Sequence, residues 1–112
     1  MKVSELMTQN LCTIASGMSV FLAAELMNKR KIGSLLVEDR GEIVGILTSR
    51  DIRTSHPNRI AADAMTSNLY TIAADSFVWD ALQVMEQYDV ERLIVTANDK
   101  IQGLVTRETI KV

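Results

Sequence analysis

The chain has 112 residues and a formal net charge of −2, with 47% apolar and 23% charged residues. That is an ordinary globular balance, with no excess of cations that would hold nucleic acid by bulk electrostatics. No apolar run reaches the roughly 18 residues of a membrane-spanning helix. The opening MKVSELMTQNL lacks the basic-then-apolar pattern of a secretory signal, and the lone Cys12 allows neither an internal disulfide nor a cysteine-based zinc site. The expectation is a soluble, cytoplasmic chain forming one modest domain or two half-sized units that share a core.

In chain order, the first half reads as strand, helix, strand, strand, helix. Thr13-Ile14-Ala15 is a short extended run, and Val20, Ala23, Ala24 and Met27 then fall at i, i+3, i+4 and i+7, one apolar helical stripe. Ser19 is placed to cap that helix. Ile32–Val37 is apolar, EDRGE supplies turn residues, and Ile43–Leu47 is apolar again, a hairpin signal. Thr48 to Arg53 opens a short closing helix. The stretch TSHPNR, Thr54 to Arg59, holds the only proline and the only histidine and reads as a connector.

The second half repeats the first. Shifted by 58 positions, Met7-Thr8 falls on Met65-Thr66, Thr13-Ile14-Ala15 on Thr71-Ile72-Ala73, and Val20, Ala23 and Met27 on Val78, Ala81 and Met85. Leu35 and Val37 fall on Leu93 and Val95, and Gly45, Thr48 and Ile52 on Gly103, Thr106 and Ile110. Asp75 or Ser76 is the expected cap of the second long helix, Val90–Val95 and Ile101–Val105 the second hairpin around ANDK, and a second short helix follows Thr106. Two units result, 1–53 and 60–112, joined by 54–59. A unit of about 50 residues cannot bury enough surface alone, so the halves are expected to pack with approximate twofold symmetry, leaving clefts between them.

Enzyme chemistry finds no constellation here, and no catalytic or metal-binding set is expected. His56 sits alone beside Pro57, Cys12 aligns with Tyr70 at a half-buried strand position, and no glycine spacing fits a phosphate loop. Lys29-Arg30-Lys31 ends the first long helix, where cations complement the dipole. Thr48 and Asp51 admit two readings. A threonine with an acid three residues later is close to a capping box, and a carboxylate at a helix start also accepts bonds from a pair of sugar hydroxyls. The second copy has Thr109 where the first has Asp51, so such a helix does not require the acid.

Two units that each open with Met-Thr and Thr-Ile, carry A23AELM27 and A81LQVM85 in the helices, and close on G45ILTSRD51 and G103LVTRET109 resemble a pair of cystathionine-β-synthase (CBS) domains, the Bateman module. The resemblance spans residues 1 to about 110. It implies a mixed α/β (α+β) fold of two βαββα units, a non-enzymatic regulatory role, a homodimer, and an effector protein that receives the signal. The implied ligand is an adenosine compound, AMP, ADP or ATP, with S-adenosylmethionine or an empty docking module as alternatives. Carried over by position, Thr48 and Asp51 hold the ribose hydroxyls. The Thr13-Ile14 strand and the Ile46-Leu47 backbone form the adenine slot, and Arg92, Arg50 and Arg53 reach phosphate. Thr109, Glu91 and Glu108 leave the second site incomplete. Nucleic acid and membrane are not expected partners.

Overall fold

The computed structural model describes residues 1–110. After a 3-10 turn at Val3–Glu5, the elements are β1 (Thr13–Ala15), α1 (Val20–Arg30), β2 (Ser34–Asp39), β3 (Glu42–Thr48), α2 (Ser49–Thr54), α3 (Ala61–Ala64), β4 (Thr71–Ala73), α4 (Val78–Tyr88), β5 (Arg92–Ala97) and β6 (Lys100–Thr106). They form two three-stranded sheets of identical plan, β1-β2-β3 and β4-β5-β6. In each, the first strand pairs parallel and the hairpin antiparallel, with a bulge at Val37/Glu38 and at Val95/Thr96.

Local chemistry sets the element ends. Ser19 Oγ accepts the Leu22 N–H at 3.1 Å and caps α1 as expected. Both long helices end on a left-handed residue, Lys31 (φ 55°) and Asp89 (φ 53°), and the following N–H returns to Met27 O at 3.1 Å and Met85 O at 2.9 Å. The hairpin turns are two residues long, narrower than the EDRGE and ANDK segments suggest. Arg40 and Gly41 (φ 53° and 82°), and Asn98 and Asp99 (φ 53° and 61°), have positive φ at both central positions, which matches the strand twist.

Three expectations change. The cap of α4 is neither Asp75 nor Ser76 but Phe77, whose N–H is accepted by Asp80 Oδ2 at 3.4 Å; the Ser76 N–H is already spent on Ala73 O. Among the described residues no helix follows β6. The chain makes one turn, Ile110 N–H returning to Thr106 O at 3.2 Å, and Ile110 then enters the core at 3% exposure. The short helical segments at Val3–Glu5 and Ala61–Ala64 carry too few apolar positions for a periodic signal, and they stand at equivalent places in the repeat.

Sequence repeat and packing unit also differ. One compact unit is Cys12–Leu69; the other joins Met1–Leu11 to the chain from Tyr70 on. Val3, fully buried, packs with Ile72, Met85, Leu93 and Val105, and its N–H donates to Ser76 O at 2.8 Å. Ala61 fills the matching place with Ile14, Met27, Leu35 and Leu47. The connector 54–59 is tied to α1, since Val20 N–H donates to Arg59 O at 2.7 Å and Phe21 N–H to Pro57 O at 3.1 Å.

The glycines of GILT and GLVT follow from this exchange. Thr66 exchanges both backbone bonds with Ile46, at 3.0 and 2.9 Å, and Thr8 does so with Leu104, at 2.7 and 3.0 Å. Each Met-Thr segment thereby lies across the outer edge of β3 or β6. A Cβ on Gly103 would stand 2.8 Å from Thr8 O and 2.9 Å from Met7 Sδ, and one on Gly45 would collide with Met65 Sδ.

Candidate functional site

β3 delivers Thr48 to the start of α2, and the transition is built from reciprocal bonds. Asp51 N–H donates to Thr48 Oγ1 at 3.2 Å, while Asp51 Oδ2 accepts from Thr48 N–H at 2.9 Å and from Thr48 Oγ1 at 3.0 Å. This is a complete capping box with aspartate as the acid. Thr48 is the one buried polar side chain among the described residues, at 6% exposure, and Asp51 is half-buried. Every cap bond falls on Oδ2. Asp51 Oδ1 accepts no protein hydrogen bond among the described residues. The carboxylate is therefore held in place by one oxygen and offers the other.

Sheet register decides what surrounds it. Thr13 stands opposite Leu36, and Leu36 opposite Ile46, so the three form a row across the sheet. Strand alternation puts that row on the face away from the unit's own core. Ile46 and Leu36 are each 5% exposed and lie outside that core cluster. Ile14 and Leu47 point the other way and are core residues, so only their backbone is on offer to a ligand. At the two ends of β1, Leu36 N–H of β2 donates to Cys12 O and Ser16 N–H donates to Glu38 O of β2, both at 2.9 Å. The alternation of a parallel pairing then turns the Thr13 N–H and C=O to the open edge, a donor beside an acceptor.

Arg50 and Arg53 lie exposed on α2, either side of Asp51, with Arg53 in the last turn where it complements the helix dipole. Sequence reasoning missed Gly33 and Ser49: Ser49 N–H donates to Gly33 O at 3.1 Å, tying the start of α2 to the loop after α1. Arg92 belongs to the other unit, where it opens β5 half-buried and paired in register with Thr106. Thr13, Ile14, Ile46, Leu47, Thr48, Arg50, Asp51 and Arg53 all belong to Cys12–Leu69.

The second copy rebuilds the cap without an acid. Thr106 N–H donates to Thr109 Oγ1 at 3.1 Å, Thr109 N–H donates to Thr106 Oγ1 at 3.1 Å, and Thr109 Oγ1 donates to Thr106 O at 2.9 Å. The hydroxyl of Thr109 is spent on those bonds. Among the described residues no group of histidine, cysteine, aspartate and glutamate could hold a metal ion, and no helix is long and apolar enough to cross a membrane.

The sequence model of the CBS domain matches this chain twice, over residues 3–56 and 61–111. Among curated proteins, YlbB of Bacillus subtilis is 35% identical across 94% of this chain and 76% of its own length. A protein of Methanocaldococcus jannaschii is 31% identical across 95% of this chain, which spans only 30% of that relative. Homoserine O-acetyltransferase of Methanohalobium evestigatum is matched over 23% of its length at 34% identity. Of solved structures, a conserved protein from Pyrococcus horikoshii superposes with a TM-score of 0.86 at 27% identity, covering 97% of this chain and 88% of that one. The CBS domain pair of protein MJ0100, in complex with 5′-methylthioadenosine and S-adenosyl-L-methionine, gives 0.83 at 28% identity, covering 98% and 92%.

Proposed function

The chain belongs to the CBS domain family, and from that premise we propose that it is a regulatory module that binds an adenosine-containing ligand at Thr48 and Asp51 and signals to an effector protein. The observation that carries this reading is the divided carboxylate of Asp51. Oδ2 is fixed by the cap while Oδ1 stays open, so the acceptor is oriented before any ligand arrives and little side-chain entropy is lost on binding. A ribose presents two adjacent hydroxyl donors, and charge-assisted bonds to a carboxylate are the stronger kind. The donor–acceptor pair of Thr13 on the edge of β1 suits the amino and ring-nitrogen edge of adenine.

Arg50 and Arg53, exposed beside Asp51, favour a ligand that also carries phosphate: AMP, ADP or ATP. A second reading, an S-adenosylmethionine type of ligand, is supported by the complex of the MJ0100 pair. Both readings share the adenosine end. Binding passes to an effector only where the ligand has unequal affinity for two arrangements of the module. A homodimer and a cytoplasmic site of action belong to the same proposal.

The test is titration calorimetry of the purified chain against adenosine, AMP, ATP and S-adenosylmethionine, with 2′,3′-dideoxyadenosine as control. Binding by compounds with both ribose hydroxyls, and its loss with the dideoxy compound, is the expected result. Silence across the panel would leave Thr48 and Asp51 as a helix cap and the chain as a docking module.

A further inference from the structure

One patch of the unit Cys12–Leu69 is strongly basic. α1 closes on Lys29 and Arg30 and is followed by Lys31, and α2 carries Arg50 and Arg53; all five are exposed. The two helices meet there, because Gly33 O accepts the Ser49 N–H at 3.1 Å and the Ser49 hydroxyl at 3.4 Å. Lys31 stands two residues before that joint and Arg50 one residue after it. The acids within the patch are Glu25, one turn before Lys29, and Asp51, whose Oδ2 is committed to the cap.

The fold does not ask for these cations. In the second copy, four of the five equivalent places hold Gln87, Tyr88, Asp89 and Glu108. α4 ends with no base in its last turn, and Arg107 N–H donates to Glu91 O at 2.8 Å, the same joint that Ser49 makes with Gly33. Cations at the end of α1 complement its dipole. Crowding like charges at one place also costs free energy, which a complementary anion recovers.

The surroundings select the kind of anion. The exposed large hydrophobics of this unit, Phe21, Leu22 and Ile60, all stand at the opening of α1, Ile60 by its bridge to Ser19. More than two helical turns, about 12 Å, separate Phe21 from Lys29. The patch therefore has neither an aromatic platform for unstacked bases nor an apolar anchor for a lipid surface.

We infer that this patch is the docking surface for an acidic segment of the effector protein, a run of aspartate and glutamate that bridges the end of α1 and the exposed side of α2. Arg50 and Arg53 are also the proposed phosphate contacts, so a phosphate-bearing ligand and the acidic segment compete for them. The inference rests on the proposed function for the effector and for that competition; the affinity of the patch for acid stands without it.

The probe is fluorescein-labelled octaglutamate, its anisotropy followed as the full chain is added at low and high salt. Wild type is expected to bind it, more weakly as salt rises. Lys29→Gln/Arg30→Gln/Lys31→Asp is expected to weaken binding by roughly tenfold or more. Its first and last changes copy Gln87 and Asp89, and Asp89 occupies the same left-handed position as Lys31. Arg50→Glu, which copies Glu108, should also weaken binding, and it leaves the end of α1 intact. Lys2→Gln/Lys100→Gln/Arg107→Gln, a loss of three exposed cations elsewhere, should change binding by less than about twofold. No binding at low salt, an equal loss in that control, or tighter binding of a single-stranded DNA of equal charge would overturn the inference, the last in favour of nucleic acid. Where calorimetry shows that ATP binds, saturating ATP at constant ionic strength is expected to displace the peptide and adenosine to leave it bound. A peptide that ATP leaves in place would overturn the inference too. Where no nucleotide binds, the ligand reading fails and the variants still decide the docking surface.

Discussion

The backbone N–H of Thr106 donates to the side-chain oxygen of Thr109 at 3.1 Å, the same bond at the same place in the repeat that Thr48 makes to Asp51 Oδ2 at 2.9 Å. A hydroxyl can therefore replace a carboxylate as the second half of this cap. The replacement carries one consequence: a carboxylate has a second oxygen and a hydroxyl does not. Asp51 is more than the cap requires, and the excess is what the proposed ligand site uses.

Stability separates the two roles of Asp51. Asp51→Ala removes the acceptor for Thr48 N–H and is expected to destabilise the protein by about 0.5–2 kcal/mol. Asp51→Thr, which copies the second cap, is expected to lose far less. Urea denaturation of the two variants beside wild type reads the difference. Equal losses would mean that the Thr106–Thr109 arrangement does not transfer.

Ligand class is read from the arginines. Arg50→Ala with Arg53→Ala is expected to weaken AMP and ATP by roughly tenfold while leaving adenosine nearly unchanged, because charge-assisted bonds to phosphate are lost and those to ribose are not. Calorimetric affinities for the three compounds check this. An equal loss for adenosine would place the arginines in support of the fold instead.

Gly103→Ala is expected to destabilise more than Gly45→Ala, both within about 1–3 kcal/mol. At Gly103 a new Cβ would meet the backbone oxygen of Thr8 at 2.8 Å, which cannot turn away. At Gly45 the nearest atoms are the Met65 side chain, which is flexible, with Thr66 O at 3.0 Å. Met65→Ala should accordingly recover part of the Gly45→Ala loss and Met7→Ala little of the Gly103→Ala loss, as thermal melts of the double variants would record.

Val3→Asp buries an unpaired carboxylate at a position with no exposure and is expected to destabilise by about 3 kcal/mol or more. The loss should fall on the unit built from Tyr70 on. Hydrogen exchange would then show lost protection in β5 and β6, with β2 and β3 comparatively protected. Loss confined to the first repeat would contradict the packing of Met1–Leu11 onto the second.

Much of this was legible in the sequence. The stripe Val20, Ala23, Met27 and its copy gave both long helices because apolar periodicity reports burial directly, and the Thr-Ile runs and hairpins followed from the same signal. The exchange of N-terminal segments was not legible. A repeat shows which residues correspond, not which copy they pack against, and that is settled by tertiary packing such as the place of Val3 in one core cluster with Met85. The α4 cap was missed because Asp75 and Ser76 have the side chains caps favour, whereas Phe77 holds the position and borrows Asp80. At the site, Thr48 and Asp51 were visible as a motif. The assignment of each carboxylate oxygen was not, since it depends on the turn from β3 into α2.

In the proposed site the free oxygen of Asp51 binds a ribose, in one unit only. The measurement that tests it most directly is calorimetric titration of wild type and Asp51→Thr with the adenosine compound that binds tightest, fitted for stoichiometry. Close to one ligand per chain is expected for wild type, and no measurable binding by Asp51→Thr at a melting temperature close to that of wild type. Unaltered binding by Asp51→Thr, or two equal sites in wild type, would contradict it.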